Sequence, residues 1–356
     1  MQRAKLKNVE MLRGIAATLV VFYHADKYYY GVPSLWPTKI LGGLFAFGYA
    51  GVEFFFVLSG FIIATVHAAD GGRPAIIPSF IRKRFVRIYP FYWCCLAVTV
   101  LGMVAVPGVA SRIDAAALVG SFALAGIEPL RSVLFVAWTL FYEVVFYAIF
   151  CLYLWNRRAG LIMIPLWAIA GLVLRDYNHH EFYLLSPLNT LFLVGIGCAA
   201  ALKRWTIPMP IVLAVLGSTL FLFAGAYDAL VDHLSTTKAV ALFGPASAIA
   251  LMGFVEMERS GIAQVRGLPV VIGQASYSIY LTHMFIVTLI SKACRQFHLS
   301  DVLPGELAFI VFATVAVAAG IGIHFAVEKP VMRWTGRGLA RARDWRSSMA
   351  SSRATQ

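Results

Sequence analysis

Long apolar runs recur along the chain and constrain its fold more than any other feature. Each run is about 20 residues long, the length that a helix needs to cross a hydrocarbon core of roughly 30 Å. Lipid offers the backbone no hydrogen-bonding partners, so runs of this length are expected to be helical. Of the 356 residues, 60% are hydrophobic and only 13% are charged, against about a quarter charged in a soluble domain. The sequence therefore predicts an all-α, polytopic integral membrane protein.

Ten of these runs are predicted to span the membrane. They are residues 12–30, 42–67, 86–107, 132–155, 159–175, 187–202, 209–227, 238–256, 270–291 and 305–327. The shorter apolar stretch 114–126 is expected to form a surface or re-entrant helix, because a full crossing there would invert every later span. The first span has no small-residue cleavage site after it, so we expect it to remain in the protein and not to be removed as a signal peptide.

The positions of the basic residues predict the orientation of the spans. With both termini in the cytoplasm, 22 of the 30 Lys and Arg residues fall in cytoplasmic loops or in the tail, as the positive-inside rule requires. The formal net charge of +13 then belongs to segments beside the membrane, which anionic lipid headgroups attract. We therefore expect membrane lipids, and no nucleic acid, as partners of this charge. The predicted domains are a transmembrane domain over 1–330 and a basic cytoplasmic tail over 331–356.

Charged residues inside predicted spans are candidate site residues, because each costs roughly 2.5–3.5 kcal/mol at a helix centre. In the first span, Arg13 and His24 are eleven residues apart and share one helix face. A guanidinium at the cytoplasmic edge suits phosphate binding, and a neutral imidazole deeper in the membrane can accept a proton from a hydroxyl. Alternatively, Arg13 is an ordinary positive-inside anchor and His24 a hydrogen-bonded residue between helices.

Two arginines at the start of the third span form a second candidate. Arg84 and Arg87 are three residues apart and project from one face, beside Arg82 and Lys83. Such a concentration of positive charge suits a polyphosphate ligand. The alternative is a topology signal that also binds lipid headgroups.

Two carboxylates near the middle of predicted spans are further candidates. Glu143, near the centre of the fourth, could orient a histidine or act as acid or base; alternatively it pairs with an arginine or is a protonated, hydrogen-bonded carboxyl. Glu53 is a second mid-span acid, in a stretch whose small residues predict tight helix packing. Glu328, before Pro330, is expected to pair with a basic residue at the cytoplasmic edge.

The ninth span carries Ser276, Tyr280 and His283 on roughly one helix face. Small serine residues permit close packing and hydrogen bonds between helices, so a structural role accounts for most of this segment. His283 is the member that we retain as a candidate substrate contact.

These polar residues lie in five separated stretches. In order they are LRGIAATLVVFYHAD (12–26), GYAGVEFFFVLSGFII (48–63), FIRKRFVRIYP (80–90), WTLFYEVVFY (138–147) and QASYSIYLTH (274–283). Together they resemble the acyltransferase-3 family of bacterial membrane O-acyltransferases, particularly its exopolysaccharide O-acetyltransferase branch. The similarity extends through HFAVEKP at 324–330. Glu53 stands where many relatives carry Asp, which preserves the charge.

The resemblance implies an enzyme of the bacterial cytoplasmic (inner) membrane that moves an acyl group from acyl-CoA, expected to be acetyl-CoA, to a hydroxyl of an exopolysaccharide or a lipid-linked glycan precursor. His24 would deprotonate the hydroxyl or take part in an acyl-enzyme relay, and Glu143 would orient or charge the reacting group. The implied site comprises donor-binding Arg13, Arg84 and Arg87, catalytic His24 and Glu143, and the candidate substrate contacts His283, Tyr280 and Glu53. No permanently bound cofactor and no metal are expected, and polysaccharide assembly proteins are candidate partners.

Two other functions fit the same residues. A transporter or flippase for a polysaccharide precursor would also place His, Glu and Arg side chains inside the membrane, along its substrate or proton pathway. A non-catalytic scaffold of an envelope assembly complex would tolerate the loss of His24. The arginines at one face of the membrane, together with the resemblance, favour the enzyme.

Overall fold

The computed structural model describes residues 6–31, 40–105, 114–125, 132–174, 183–299 and 303–340. These residues form helices joined by short connections, and no β-strand occurs among them, which confirms the predicted all-α class.

Twelve α-helices are present in the described ranges. They are α1 (Lys7–Gly31), α2 (Ala50–Val66), α3 (Ile77–Val104), α4 (Ala115–Ala123), α5 (Trp138–Trp155), α6 (Arg157–Val173), α7 (Asn189–Arg204), α8 (Pro210–Leu230), α9 (Thr236–Arg259), α10 (Leu268–Gln274), α11 (Ser276–Gln296) and α12 (Gly305–Ile323). Short 3₁₀ segments precede α2 (Ile40–Tyr49), α3 (Pro74–Ile76) and α5 (Phe135–Ala137), and another forms at Tyr183–Leu185. A π turn, His324–Glu328, follows α12, and the helix then continues to residue 340.

Among the described residues, seven helical segments are long and apolar enough to cross a membrane. They are Leu41–Val66, Pro74–Val104, Phe135–Trp155, Pro210–Leu230, Thr236–Arg259, Ser276–Gln296 and Gly305–Ala340. The three other predicted spans fall on α1, which carries five charged side chains, and on α6 and α7, which have 17 and 16 residues. All ten predicted spans therefore coincide with helices over their described parts; residues 106, 107 and 175, at the ends of two spans, lie outside the described residues. The count of ten and the cytoplasmic position of both termini stay predictions.

The predicted surface or re-entrant stretch contains α4, whose nine residues are too few to cross a bilayer. Three side chains of α3, Tyr89, Tyr92 and Trp93, donate hydrogen bonds of 2.9, 2.6 and 3.0 Å to the carbonyl oxygens of residues 123, 121 and 122, respectively. Carbonyls at a helix C-terminus lack partners within the helix and are costly to leave unpaired in lipid. These bonds hold α4 against α3. Residue 126, the last of the predicted stretch, lies outside the described residues.

Helix α2 is central because its neighbours approach its backbone closely. Gly51 of α2 meets the carbonyl oxygen of Ala16 in α1, and Gly60 meets that of Phe192 in α7. A methyl group at either glycine would overlap the neighbouring backbone, so only glycine permits this spacing. The close packing encloses the polar side chains of α2 within the helix bundle.

The last helix runs without interruption across the predicted domain boundary at residue 330. Pro330 follows the π turn and does not end the helix, which extends through the first ten residues of the predicted tail. The remainder of that tail, 341–356, lies outside the described residues, so the division into two domains stays a prediction.

Candidate active site

A cavity of about 150 Å³ lies between α1, α2, α3, α5 and α11. Five of the predicted site residues line it: Arg13, Arg84, Arg87, Glu143 and Tyr280. The rest of the wall is largely apolar and comes chiefly from α2. Residues from five helices, which the sequence analysis could only treat as separate clusters, therefore form a single site.

Two of the three arginines are paired with carboxylates. Arg13 donates to Oε2 of Glu10, one turn earlier in α1, at 3.1 Å. Arg87 donates to Oε1 of Glu328 at 2.6 Å, and its guanidinium also lies over the ring of Tyr277, 5.1 Å from the centroid. Arg87 is thus the basic partner expected for Glu328.

The Glu328 carboxylate is fully buried and accepts hydrogen bonds on both oxygens. Oε2 accepts from the hydroxyl of Ser278 and from Nδ1 of His324, each at 2.6 Å, while Oε1 accepts from Arg87. A buried carboxylate is tolerated when its charge is paired and its oxygens are hydrogen-bonded, as here. His324 and Glu328 are the first and last residues of the π turn, a local geometry that frequently occurs at functional sites.

Arg84 differs from the other two arginines in its surroundings. Its guanidinium lies over the rings of Phe80 and Tyr147, 5.8 and 5.6 Å from their centroids. Within the described part of the chain, its buried Nε has no hydrogen-bond partner and its guanidinium forms no ion pair. Among the described residues, Arg84 is thus a cavity cation without a carboxylate partner, and it is available to bind an anionic ligand.

Glu143 lies in the wall of the same cavity and is held by hydroxyl groups. Its Oε1 accepts hydrogen bonds from Tyr147, one turn later in α5, and from Ser59 of α2 at 3.3 Å. Among the described residues no arginine is within ion-pair distance of Glu143, so the structural ion pair considered for this residue does not form there. A hydrogen-bonded carboxyl that faces the cavity is what the structure contains.

His24 and His283 form a second cluster and do not line the cavity. Nδ1 of His24 lies 3.1 Å from Nε2 of His283, and their ring centroids are 4.9 Å apart. Nδ1 of His283 lies 3.2 Å from the carbonyl of Ile279, and Nδ1 of His24 lies 3.0 Å from that of Val20. Because carbonyls only accept, both Nδ1 atoms are assigned as protonated, and Nε2 of His283 is then the acceptor. This assignment leaves Nε2 of His24 as an unprotonated, basic nitrogen.

Tyr280 connects the two clusters. It lines the cavity, and its ring centroid is 6.0 Å from that of His283. Its hydroxyl lies 2.9 Å from Oγ1 of Thr139 and 2.9 Å from the carbonyl oxygen of Val136. The predicted contact Glu53 lies in neither cluster. It is buried in α2, and its Oε2 has no hydrogen-bond partner among the residues that the structure describes.

Comparison with known proteins assigns the chain to a family. A family profile described as an acyltransferase domain matches residues 6–326. The chain belongs to this acyltransferase family. It is 30% identical, over 314 residues, to the exopolysaccharide production protein ExoZ of Rhizobium meliloti (strain 1021), which covers 84% of this chain and 93% of that protein. It is also 34% identical, over 87 residues, to protein 2 in the picA locus of Rhizobium radiobacter, covering 24% of this chain and 39% of that protein. No solved structure gives a significant match.

The predicted acyltransferase-3 membership is thereby confirmed, and the chain is an O-acyltransferase. The predicted site residues did not include Tyr147 and Ser59, which donate to Glu143, or His324, which contacts Glu328. Two of these contacts had a local signal, because Glu143 and Tyr147, like His324 and Glu328, are four residues apart and adjacent on one helix face. Ser59 had no such signal, since its partner is 84 residues away.

Proposed function

We propose that this acyltransferase moves an acetyl group from acetyl-CoA to a hydroxyl of an exopolysaccharide or a lipid-linked glycan precursor in the bacterial inner membrane. The observation that carries the proposal is the cavity in which Arg13, Arg84, Arg87 and Glu143 meet. Guanidinium groups bind phosphate oxygens in bidentate geometry, and Arg84 has no carboxylate that competes with such a ligand within the described residues. The acceptor class follows the name of the relative from Rhizobium meliloti, an exopolysaccharide production protein.

The size of the cavity supports a small acyl group. A cavity of about 150 Å³ has room for a molecule of about the size of benzene. The acetyl thioester fits such a volume, whereas the nucleotide of CoA does not. In this proposal the phosphates bind the arginines at the mouth, and the thioester lies deeper, towards Tyr280.

The chemical step assigned to His24 is proton transfer. Its Nε2 accepts the proton of the acceptor hydroxyl as the hydroxyl oxygen attacks the thioester carbon. The carbon–sulfur bond then breaks, CoA leaves as a thiolate that takes up a proton, and the ester remains on the sugar. His283 holds the His24 ring through the 3.1 Å contact, which fixes the basic nitrogen at Nε2. Glu143 orients the reacting group from the cavity wall.

The proposed topology has ten spans and cytoplasmic termini, so the arginines face the compartment that contains acetyl-CoA. The acceptor approaches from the membrane or its opposite side. Membrane lipids and, in the cell, polysaccharide assembly proteins are the remaining proposed partners.

Replacing His24 with Ala tests the function. We expect loss of at least about 99% of acetyl transfer, because general-base catalysis contributes roughly 10²–10⁴-fold. The readout is mass spectrometry of envelope polysaccharide from a deletion strain carrying either copy, with membrane levels of the protein matched. Retained acetylation would contradict the role of His24.

Purified protein separates the acyltransferase from a transporter. Detergent solution has no separate compartments, so transport produces no measurable signal there. An acyltransferase still releases CoA from acetyl-CoA when an envelope polysaccharide extract is added. Absence of CoA release from folded protein under these conditions would contradict the proposed donor.

A further inference from the structure

The proposed chemistry requires the thioester in the cavity to reach the histidine pair, His24 and His283. An attacking oxygen must come within about 3–3.5 Å of the thioester carbon, and the hydroxyl must be within hydrogen-bond reach of its base. His24 does not line the cavity that holds Arg84 and Glu143. The acyl group therefore has to pass from the cavity towards the histidine pair, and Tyr280 contacts both places.

Tyr280 is fixed by hydrogen bonds that join α11 to the beginning of α5. A tyrosine hydroxyl has one proton, and the carbonyl of Val136 can only accept, so Tyr280 donates to Val136. Thr139 must then donate to the Tyr280 oxygen at 2.9 Å. On its ring side Tyr280 contacts Phe55 of α2, with centroids 6.0 Å apart. The side chain is thereby held at the end of the cavity nearest His283.

We propose that Tyr280, bound to Thr139 and Val136, is a movable barrier between the donor cavity and the histidine pair. Breaking its two hydrogen bonds lets the ring turn aside and admits the acyl group to His24. The same ring sets the depth of the closed cavity, so it limits the donor to short acyl chains. This inference rests on the proposed function, because it concerns the path of the thioester within that reaction.

The barrier also keeps water away from the thioester. When it opens without an acceptor, water can replace the sugar hydroxyl: the carbon–sulfur bond breaks, a carbon–oxygen bond to water forms, and a proton of the water passes to the CoA sulfur. Release of CoA from acetyl-CoA without acceptor therefore measures how often the barrier is open. Tyr280→Phe retains the ring and removes both hydrogen bonds. Losing the net free energy of one hydrogen bond is enough to shift the equilibrium between the closed and the open barrier by about two- to tenfold.

The test compares purified, full-length variants in detergent by chromatographic detection of CoA. Tyr280→Phe should raise acceptor-independent CoA release by about two- to tenfold, and Thr139→Val should change it in the same direction. The matched control is Tyr92→Phe, which also removes a buried tyrosine hydrogen bond, of 2.6 Å to Ser121, at a position that does not line the cavity. It should leave the release unchanged.

The second arm tests the limit on chain length with acetyl-CoA, butyryl-CoA and hexanoyl-CoA. Tyr280→Ala should raise the relative use of butyryl-CoA by at least about tenfold, since each methylene accommodated in a pocket is worth roughly 10-fold or more in discrimination. If the wild type is active and both Tyr280 variants match Tyr92→Phe in CoA release and chain preference, the barrier is contradicted and the proposed function stands. If the wild type consumes no acetyl-CoA with or without a polysaccharide extract, the proposed function fails and the barrier with it.

Discussion

At the scale of single residues, the three predicted donor-binding arginines are not equivalent. Arg13 and Arg87 each contact a carboxylate, at 3.1 and 2.6 Å, whereas Arg84 lies over two aromatic rings. A paired guanidinium still has free N–H groups for a phosphate, but part of its charge is already neutralised. Arg84 should therefore contribute the most to donor binding, a distinction that the spacing of Arg84 and Arg87 does not reveal.

Replacing Arg84 with Ala should raise KM for acetyl-CoA by about 10-fold or more with a smaller effect on kcat, because charge-assisted hydrogen bonds are worth about 1.5–3 kcal/mol. Arg82→Ala is the matched control, since Arg82 lies in the same basic segment but does not line the cavity. Steady-state CoA release by purified variants measures both parameters. An equal rise in KM for the two variants would mean that the general basic charge of the segment, and not Arg84, holds the donor.

At the scale of helices, close backbone contacts determine where the site residues lie. Gly195 of α7 meets the carbonyl oxygen of Val57 in α2, two residues before Ser59, which contacts Glu143. At Gly197, two residues later in α7, an added methyl group would meet no atom of the described residues within 4 Å. Both glycines lie within α7, but only Gly195 has a close neighbour on another helix. Replacing each with Ala therefore distinguishes the effect of packing on stability from the effect of helix propensity.

We expect Gly195→Ala to destabilise the acyltransferase by roughly 1–3 kcal/mol, because the added methyl group overlaps the α2 backbone. Gly197→Ala should be neutral or stabilising by up to about 1 kcal/mol, through helix propensity alone. Thermal unfolding in detergent, followed by loss of the monodisperse chromatographic peak, measures the difference. Equal unfolding temperatures for the two variants would show that the α2–α7 contact is not tight.

The helices were the most predictable part of the molecule, because apolar runs and spacing are local signals. All ten predicted spans fall on helices, and the adjacent pair Arg84 and Arg87 reaches the cavity together as expected. The site itself is assembled from distant positions. His24 and His283 are 259 residues apart, and Glu328 meets Arg87 across 241 residues. Neither contact has a local pattern, so the separation into a cavity and a histidine pair could not be predicted.

At the scale of the whole molecule, hydrogen bonds join the beginning of α1 to the end of α9. Both oxygens of Glu258, at the end of α9, accept from the first backbone amides of α1: Lys7 at 2.8 Å and Asn8 at 2.7 Å. The side-chain amide of Asn8 in turn donates to the carbonyls of Phe254 and Ala263. This connection caps the N-terminus of the helix that carries Arg13 and His24.

Glu258→Ala should lower the free energy of unfolding by about 1–3 kcal/mol, because two backbone amides lose a charged acceptor. Glu306→Ala is the control: Glu306 is an exposed acid in the first turn of α12, so it shares the interaction with the helix dipole but not the long-range contact. Denaturation in detergent should separate the two variants. Equal losses would mean that the capping of α1 by Glu258 adds nothing beyond a general dipole effect.

The pairing of the arginines has a consequence for the enzyme between turnovers. Glu10 and Glu328 pair with Arg13 and Arg87, so carboxylates of this chain offset two of the three guanidinium charges at the cavity. This pairing lowers the electrostatic cost of keeping the guanidinium groups of Arg13 and Arg87 near the low-dielectric membrane interior. For these two arginines the protein supplies its own counter-ions and does not depend on a bound donor for them. A bound anionic donor should therefore stabilise the folded protein chiefly through Arg84.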